Sequence, residues 1–351
     1  MSNSIYNYTR SDLEKYFIEK NLAKFRATQV IEGVYREKVK DFSEISNLSK
    51  DVKGLLKEDF AIEELTVVKK SVASDGTTKF LFSLTDGNLI ETVLMIHPYG
   101  YSVCVTSQVG CNMGCAFCAS GTTKKIRNLE SYEMVLQVLA IDNMLETEGK
   151  RVSHVVVMGI GEPFDNYDNV MKFINILNDQ KGLAIGARHI TISTCGLVPK
   201  IIEFSDFPLQ VNLAISLHFA TDELRDKYMP INRKYKLNEL IEACKYYFNK
   251  TNRRLTFEYI LLDGINDSLK EAKDLVELTK GLNCYVNLIP YNNSDTFKGV
   301  LRRTTNERRD AFFDYLNKHH VNAIVRKEHG TDIDAACGQL RVKALKERQK
   351  I

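Results

Sequence analysis

Apolar strands alternating with amphipathic helical stretches from Tyr101 onward predict an α/β fold, a partial (β/α)6 barrel. Two observations on the preceding segment complete the expectation. Residues 1–63 carry helical periodicity only, whereas residues 64–96 switch to short alternating runs broken by Asp75-Gly76 and Asp86-Gly87, the signals of tight hairpin turns. The chain thus divides into an N-terminal helical accessory domain (1–63), a β-hairpin extension (64–96), a barrel core (97–340) and a basic C-terminal tail (341–351).

Each element has its own warrant. In the first segment Leu13, Tyr16 and Phe17, then Val30, Ile31 and Val34, recur at helix spacing, and eleven Lys and Arg balance eleven Asp and Glu. In the core, strands are expected at 102–107, 152–158, 189–194, 212–217, 255–261, 285–289 and 323–326. Helices are expected at 131–147, 166–179, 237–248, 269–280 and 306–319. Repeated strand-then-helix units imply a parallel sheet with right-handed crossovers. Fewer than eight clear units stop short of a closed barrel, and chemistry in such folds sits where strands end and loops begin.

Composition limits the function classes. At 351 residues, 44% hydrophobic and 26% charged, the chain can bury a large core, and a net charge of +3 excludes a polycation. A nucleic-acid partner must then be held by local patches, because a handful of placed cations suffices to neutralise phosphates. No 18-residue apolar run is present and the first ten residues are polar, so no membrane span or signal peptide is expected. A cytoplasmic location follows, where the eight cysteines stay reduced and available for metal binding or chemistry.

The sharpest feature is Cys111-Asn112-Met113-Gly114-Cys115-Ala116-Phe117-Cys118, a CxxxCxxC just after the first barrel strand. Eight cysteines in 351 residues would produce this spacing by chance about 0.004 times. Three thiolates on a tight loop can ligate three irons of a [4Fe–4S] cluster and leave the fourth open. Structural zinc, which wants four closed ligands, is the alternative, with Cys104 or His97 completing the set. CxxxCxxC with an aromatic before the last Cys resembles the radical S-adenosylmethionine (SAM) superfamily, in which the open iron binds the amino and carboxylate groups of SAM.

Other residues gain meaning beside this loop. Met158-Gly159-Ile160-Gly161-Glu162-Pro163 follows the second strand, and there it resembles the superfamily's GGEP-type motif, with Gly161 and Glu162 toward the methionine amino group. Ser193, Ser216-Leu217-His218 and Asn292 end later strands. Each alone is an ordinary turn residue; their shared position at strand ends makes them SAM-binding candidates. Near the C-terminus Cys337 stands among small residues in Gly330 to Leu340. A lone Cys is most often a small buried hydrophobe.

Taken in order, Ser102 to Cys111, the Cys triad, GxGEP, Met229-Pro230-Ile231-Asn232-Arg233 and Asp332 to Leu340 closely resemble the RlmN/Cfr family of dual-activity rRNA adenine methyltransferases, from Glu91 to Leu340. The N-terminal helices are only loosely similar to that family's small accessory domain. The resemblance implies a radical SAM barrel with a [4Fe–4S] cluster on Cys111, Cys115 and Cys118, and two SAM molecules per turnover. It further implies that Cys337 carries a methyl group taken from one SAM, which a radical from the second activates for attack on an adenine carbon. Glu91 matches the family's proton acceptor, and Cys104 the thiol that resolves the protein–RNA adduct by a disulfide with Cys337. On residue type alone, Glu91 reads as a strand-surface carboxylate and Cys104 as a core packer. Cys195, Asn293 and His329 depart from the family's common residues without touching a catalytic position.

The implied substrate is 23S rRNA, with tRNA as a second one, and the implied partner an external electron donor such as flavodoxin or ferredoxin, with a monomeric chain. Pro163 after Glu162 resembles the branch that methylates adenine C2; the alternative is a Cfr-like C8 methyltransferase giving ribosomal antibiotic resistance, and a more distant one a zinc-stapled RNA-binding protein without catalysis. Basic clusters at Lys124-Lys125-Ile126-Arg127, Arg253-Arg254, Arg302-Arg303, Arg308-Arg309 and from Arg341 to Lys350 are candidate phosphate contacts around the barrel mouth.

Overall fold

The computed structural model describes residues 3–292, 300–330, 332–333 and 339–348. Its centre is one ten-stranded sheet. Three antiparallel strands, β1 (Thr66–Val72), β2 (Thr78–Ser83) and β3 (Leu89–His97), lead into β4 (Gly100–Cys104). From β4 the sheet continues in parallel through β7 (Val152–Val157), β8 (Ile190–Thr194), β9 (Asn212–Ser216), β10 (Leu255–Leu261), β11 (Cys284–Pro290) and β12 (Asn322–Val325). The small pair β5 (Gln108–Val109) and β6 (Arg127–Asn128) stands apart and frames the cysteine loop.

Between consecutive parallel strands run α4 (Ser131–Glu146), α5 (Tyr167–Asn178), α6 (Val198–Phe204), α7 (Asp222–Tyr228) with α8 (Leu237–Thr251), α9 (Leu269–Thr279) and α10 (Asn306–Lys318). These connections make the partial (β/α)6 barrel, with β1 and β12 as the edges of an open sheet. Buried apolar side chains of strands and helices form one continuous core that also takes in the N-terminal helices α1 (Arg10–Glu19), α2 (Arg26–Glu32) and α3 (Lys50–Asp59). The half-buried Lys38–Asp142 ion pair at 2.7 Å ties that module to α4.

Two expectations change. The strand expected at 102–107 ends at Cys104. At Thr106 a side chain replaces the ladder: its N–H donates to Gln137 Oε1 (2.9 Å) and its carbonyl accepts from Gln137 Nε2 (3.0 Å). That substitution turns the chain out of the sheet toward the cysteine loop. Residues 341–348 of the expected basic tail belong to helix α11 (Gln339–Arg348), in which Leu340, Arg341 and Val342 are buried. Leu340 packs against Leu81 and Leu89 of the sheet.

Candidate active site

The cysteine loop is pinned at its base. Cys111 N–H donates to Thr123 O (3.1 Å), Lys125 N–H to Asn112 Oδ1 (2.9 Å) and Ala116 N–H to Tyr228 O (2.9 Å). Gly110 makes the first of these crossings possible, since at φ +81 a Cβ there would meet Lys124 O at 2.2 Å. Behind the loop Met113, Cys115 and Phe117 pack on an apolar cluster of Phe219, Met229, Leu262 and Tyr291. Burial pushes the Cys111 thiol up to about 12, with Cys118 adding repulsion, and Cys115 rises for the same reasons. Thiols so placed ionise only when a cation binds them.

The residues fit an iron–sulfur cluster better than one zinc ion. Among the described residues no three His, Cys, Asp or Glu converge on a point where a single metal ion would sit. Tyr291 Oη beside the loop is buried with no hydrogen-bond partner among the described residues, an orphan that an added polar group would satisfy. Cys111 and Cys115 of the loop are free thiols, as are Cys195, Cys244 and Cys284.

Opposite the loop the strand ends present the SAM candidates. Gly161 (φ +110) lets the turn after β7 lie against Gln108, whose Oε1 accepts from Glu162 N–H (2.9 Å). The buried Glu162 carboxylate accepts from Phe164 N–H (3.0 Å) and Cys195 N–H (2.8 Å), joining the β7 and β8 turns. Burial raises its pKa, and those hydrogen bonds oppose the rise. Ser193 and Ser216 hydroxyls lie 3.1 Å apart. His218 takes the left-handed backbone region (φ +61), its Nδ1 accepts from Ile260 N–H (3.2 Å), and its ring meets Phe117 edge-on at 4.9 Å. Burial, with Arg225 second, lowers its pKa to about 3, so the ring is neutral. Leu217 follows β9, fully buried, and Asn292 lies two residues past β11.

One residue holds these turns together and escapes sequence reading. Arg225, with 0% exposure, donates to Cys195 O (2.7 Å), Leu217 O (3.2 Å), Ser216 O (3.3 Å) and Asn232 Oδ1 (3.1 Å). Asn232 belongs to the Met229 to Arg233 run, so that run braces the arginine. The only signal was an Arg four residues ahead of Met229 on a short helix, indistinguishable in sequence from a surface charge.

Glu91 and Cys104 share one face of neighbouring strands. Cys104 pairs with Val93 across β3–β4, and Glu91 lies two residues along from Val93. Cys104 is buried with Val93 and Met95 against Val156 and Met158. Glu91, 3% exposed, makes a buried ion pair with Lys79 at 2.8 Å and accepts from Arg341 N–H at the start of α11. Arg341 itself donates to Leu89 O (2.8 Å) and Thr123 Oγ1 (3.2 Å), so it is a buried clamp between β3 and the cysteine loop. Cys337 lies outside the described residues, two positions ahead of α11. No helix is long and apolar enough to cross a membrane among the described residues.

Comparison with known proteins agrees with this geometry. A model of the radical SAM superfamily matches residues 105–277, and one of the ribosomal RNA large subunit methyltransferase N-terminal domain matches residues 3–62. A probable dual-specificity RNA methyltransferase RlmN of Streptococcus mutans is 54% identical over 355 residues, covering 100% of this chain and 98% of the relative. One from Streptococcus pyogenes is 51% identical, covering 100% and 99%. The crystal structure of a radical SAM methyltransferase from Sphaerobacter thermophilus superposes with a TM-score of 0.90 at 42% identity, covering 96% of this chain and 98% of that one.

Proposed function

The chain belongs to the RlmN family of radical SAM RNA methyltransferases, and from that premise we propose that it methylates C2 of an adenine in 23S ribosomal RNA, and of an adenine in tRNA. When bound, the [4Fe–4S] cluster and SAM supply a 5′-deoxyadenosyl radical; the protein supplies placement and a dry surround. Cys111, Cys115 and Cys118 hold the cluster. Gly161, Glu162, Ser193, Ser216, Leu217, His218 and Asn292 hold SAM. Cys337 carries the methyl group, and Cys104 releases the product by taking Cys337 into a disulfide. Covalent catalysis of this kind divides a prohibitive step into several accessible ones, because the adenine C2 hydrogen is not acidic.

Glu91 accepts the proton that the adenine carbon must lose. The observation supporting both roles is that Glu91 and Cys104 point from adjacent strands to the same side of the sheet, with the cysteine loop beginning where β4 leaves it. Lys79 fixes the carboxylate's position. C8 methylation is not favoured: the matched relatives carry the RlmN name, and Pro163 follows Glu162. The reductant is an external flavodoxin or ferredoxin, and the protein works as a monomer in the cytoplasm.

Mass spectrometry of adenosine from rRNA and tRNA treated with anaerobically reconstituted enzyme tests this reading. We expect 2-methyladenosine, and none with Cys337→Ala; 8-methyladenosine, or product from that variant, would overturn it.

A further inference from the structure

The barrel encloses a cavity of about 650 Å³ whose lining runs the length of the strands. At its upper end stand Val156 and Met158, the residues against which Cys104 packs. At its lower end stand Arg188, Gln210, Arg253 and Arg254, all on segments that lead into β8, β9 and β10. The cavity therefore opens at the N-terminal ends of the strands. Active sites on α/β barrels ordinarily open at the other end, which here is filled by the cysteine loop and its apolar cluster.

Charge compensation separates the two ends. Around the C-terminal end Lys125 pairs with Asp165, Arg127 with Asp86 and Glu133, Arg302 and Arg308 with Asp263, and Arg303 with Glu328. At the lower end Arg188 donates to Gln210 Oε1 (2.7 Å), Arg253 to Val211 O (3.4 Å), and Arg254 lies over the Tyr285 ring at 3.8 Å. No carboxylate of the described residues forms an ion pair with any of the three. Uncompensated guanidinium groups at a cavity mouth attract phosphate.

Beside them runs a row of aromatic rings. His189 stacks on His154 (4.4 Å), His154 meets Tyr99 edge-on (5.0 Å), Tyr99 stacks on His97 (4.6 Å), and His97 meets His329 (4.7 Å). Rings interleaved with arginines are what unpaired nucleotides bind, by stacking and cation–π contact. Deeper in, Glu258 is buried; Asn287 satisfies Oε1 (2.8 Å), while Oε2 has no hydrogen-bond partner among the described residues and faces Arg326 at 3.7 Å. An acceptor left over inside a cavity calls for a donor from the ligand, such as the exocyclic amine of adenine.

We propose that the target adenosine enters through the N-terminal end of the barrel, its base beside Glu258 and below Cys104, its neighbouring phosphates on Arg188, Arg253 and Arg254. This inference rests on the RNA methylation proposed above and names the path its substrate takes. The base must leave its stack to reach the cavity, so the RNA binds with that nucleotide splayed out.

The test uses reconstituted enzyme and an RNA hairpin bearing the target adenosine. Arg188→Gln/Arg253→Gln/Arg254→Gln should bind the hairpin roughly tenfold weaker or more, with the slope of log affinity against log salt flatter by about two. Melting temperature and RNA-independent SAM cleavage should stay at wild-type values. Arg302→Gln should change affinity less than these. A hairpin with purine riboside in place of the target adenosine, lacking the exocyclic amine, should bind wild type more weakly, and Glu258→Ala should erase that difference. Unchanged affinity and salt slope in the triple variant, with methylation at the wild-type rate, would overturn the path and leave the function standing. A difference that survives Glu258→Ala would remove Glu258 from it. Wild-type enzyme that cleaves SAM yet methylates no adenine would sink the function itself, and the path with it.

Discussion

The two ends of the barrel are built on opposite principles. At the C-terminal end two buried side chains brace the turns from within: Arg225 collects the carbonyls of two strand-end turns, and Glu162 collects N–H groups from two. At the N-terminal end Arg188, Arg254 and Tyr99 are exposed and lean on neutral neighbours. The contrast teaches a division of labour. A reactive centre needs fixed geometry and little water, which internal bracing provides. A surface that admits a large, flexible polyanion needs charge with no partner of its own.

The sharpest way to break this comparison is Arg225→Ala. It leaves three carbonyls and Asn232 without their donor in a buried place, so it should cost about 3–5 kcal/mol. A denaturant melt should show this, together with weaker SAM binding. A loss below 1 kcal/mol would mean that the C-terminal end is not braced through this residue.

Acid should act on the same end. The folded pKa of His218 lies near 3 against an ordinary 6.5. As pH falls below about 6.5 the unfolded chain takes up the proton first, so stability is lost progressively until the folded ring titrates near pH 3. The full effect is on the order of 5 kcal/mol. His218→Asn, which keeps an acceptor for Ile260 N–H, should flatten that slope in melts of the cluster-free protein. An unchanged slope would place the titrating group elsewhere.

The smallest effect belongs to the other end. Tyr99 is 66% exposed, so Tyr99→Ala should shift stability by about 0.5 kcal/mol or less, yet weaken RNA binding by about 1–3 kcal/mol through lost stacking. A melting loss as large as that of Arg225→Ala would erase the distinction.

What could be read in the sequence divides along the same line. The cysteine loop and the strands β8, β9 and β10 are local signals, a fixed spacing or an apolar run, and they lie within a residue or two of expectation. Helices α6 and α7 are too short, at seven residues, to show periodicity. In α11 the density of Lys and Arg hides Leu340 and Val342, and Arg341, grouped with candidate phosphate contacts, is in fact buried. Arg225 reaches Cys195 across thirty residues and Lys79 reaches Glu91 across a hairpin. Such pairings follow from the topology, so charge alone cannot announce them. The same holds at the N-terminal end, where Arg253-Arg254 is plain in the sequence but its lack of an ion pair among the described residues is not.

The open sheet has one more consequence. In a closed barrel the bore is fixed by strand number and stagger. Here the gap between β12 and the hairpin strands is spanned by a clasp rather than a ladder: Asp75 accepts from Gly330 N–H at 3.1 Å, and Asp332 from Ser74 N–H at 2.9 Å. A clasp of a few bonds can part without unzipping any strand, so the width at this seam is set by side chains and not by strand pairing.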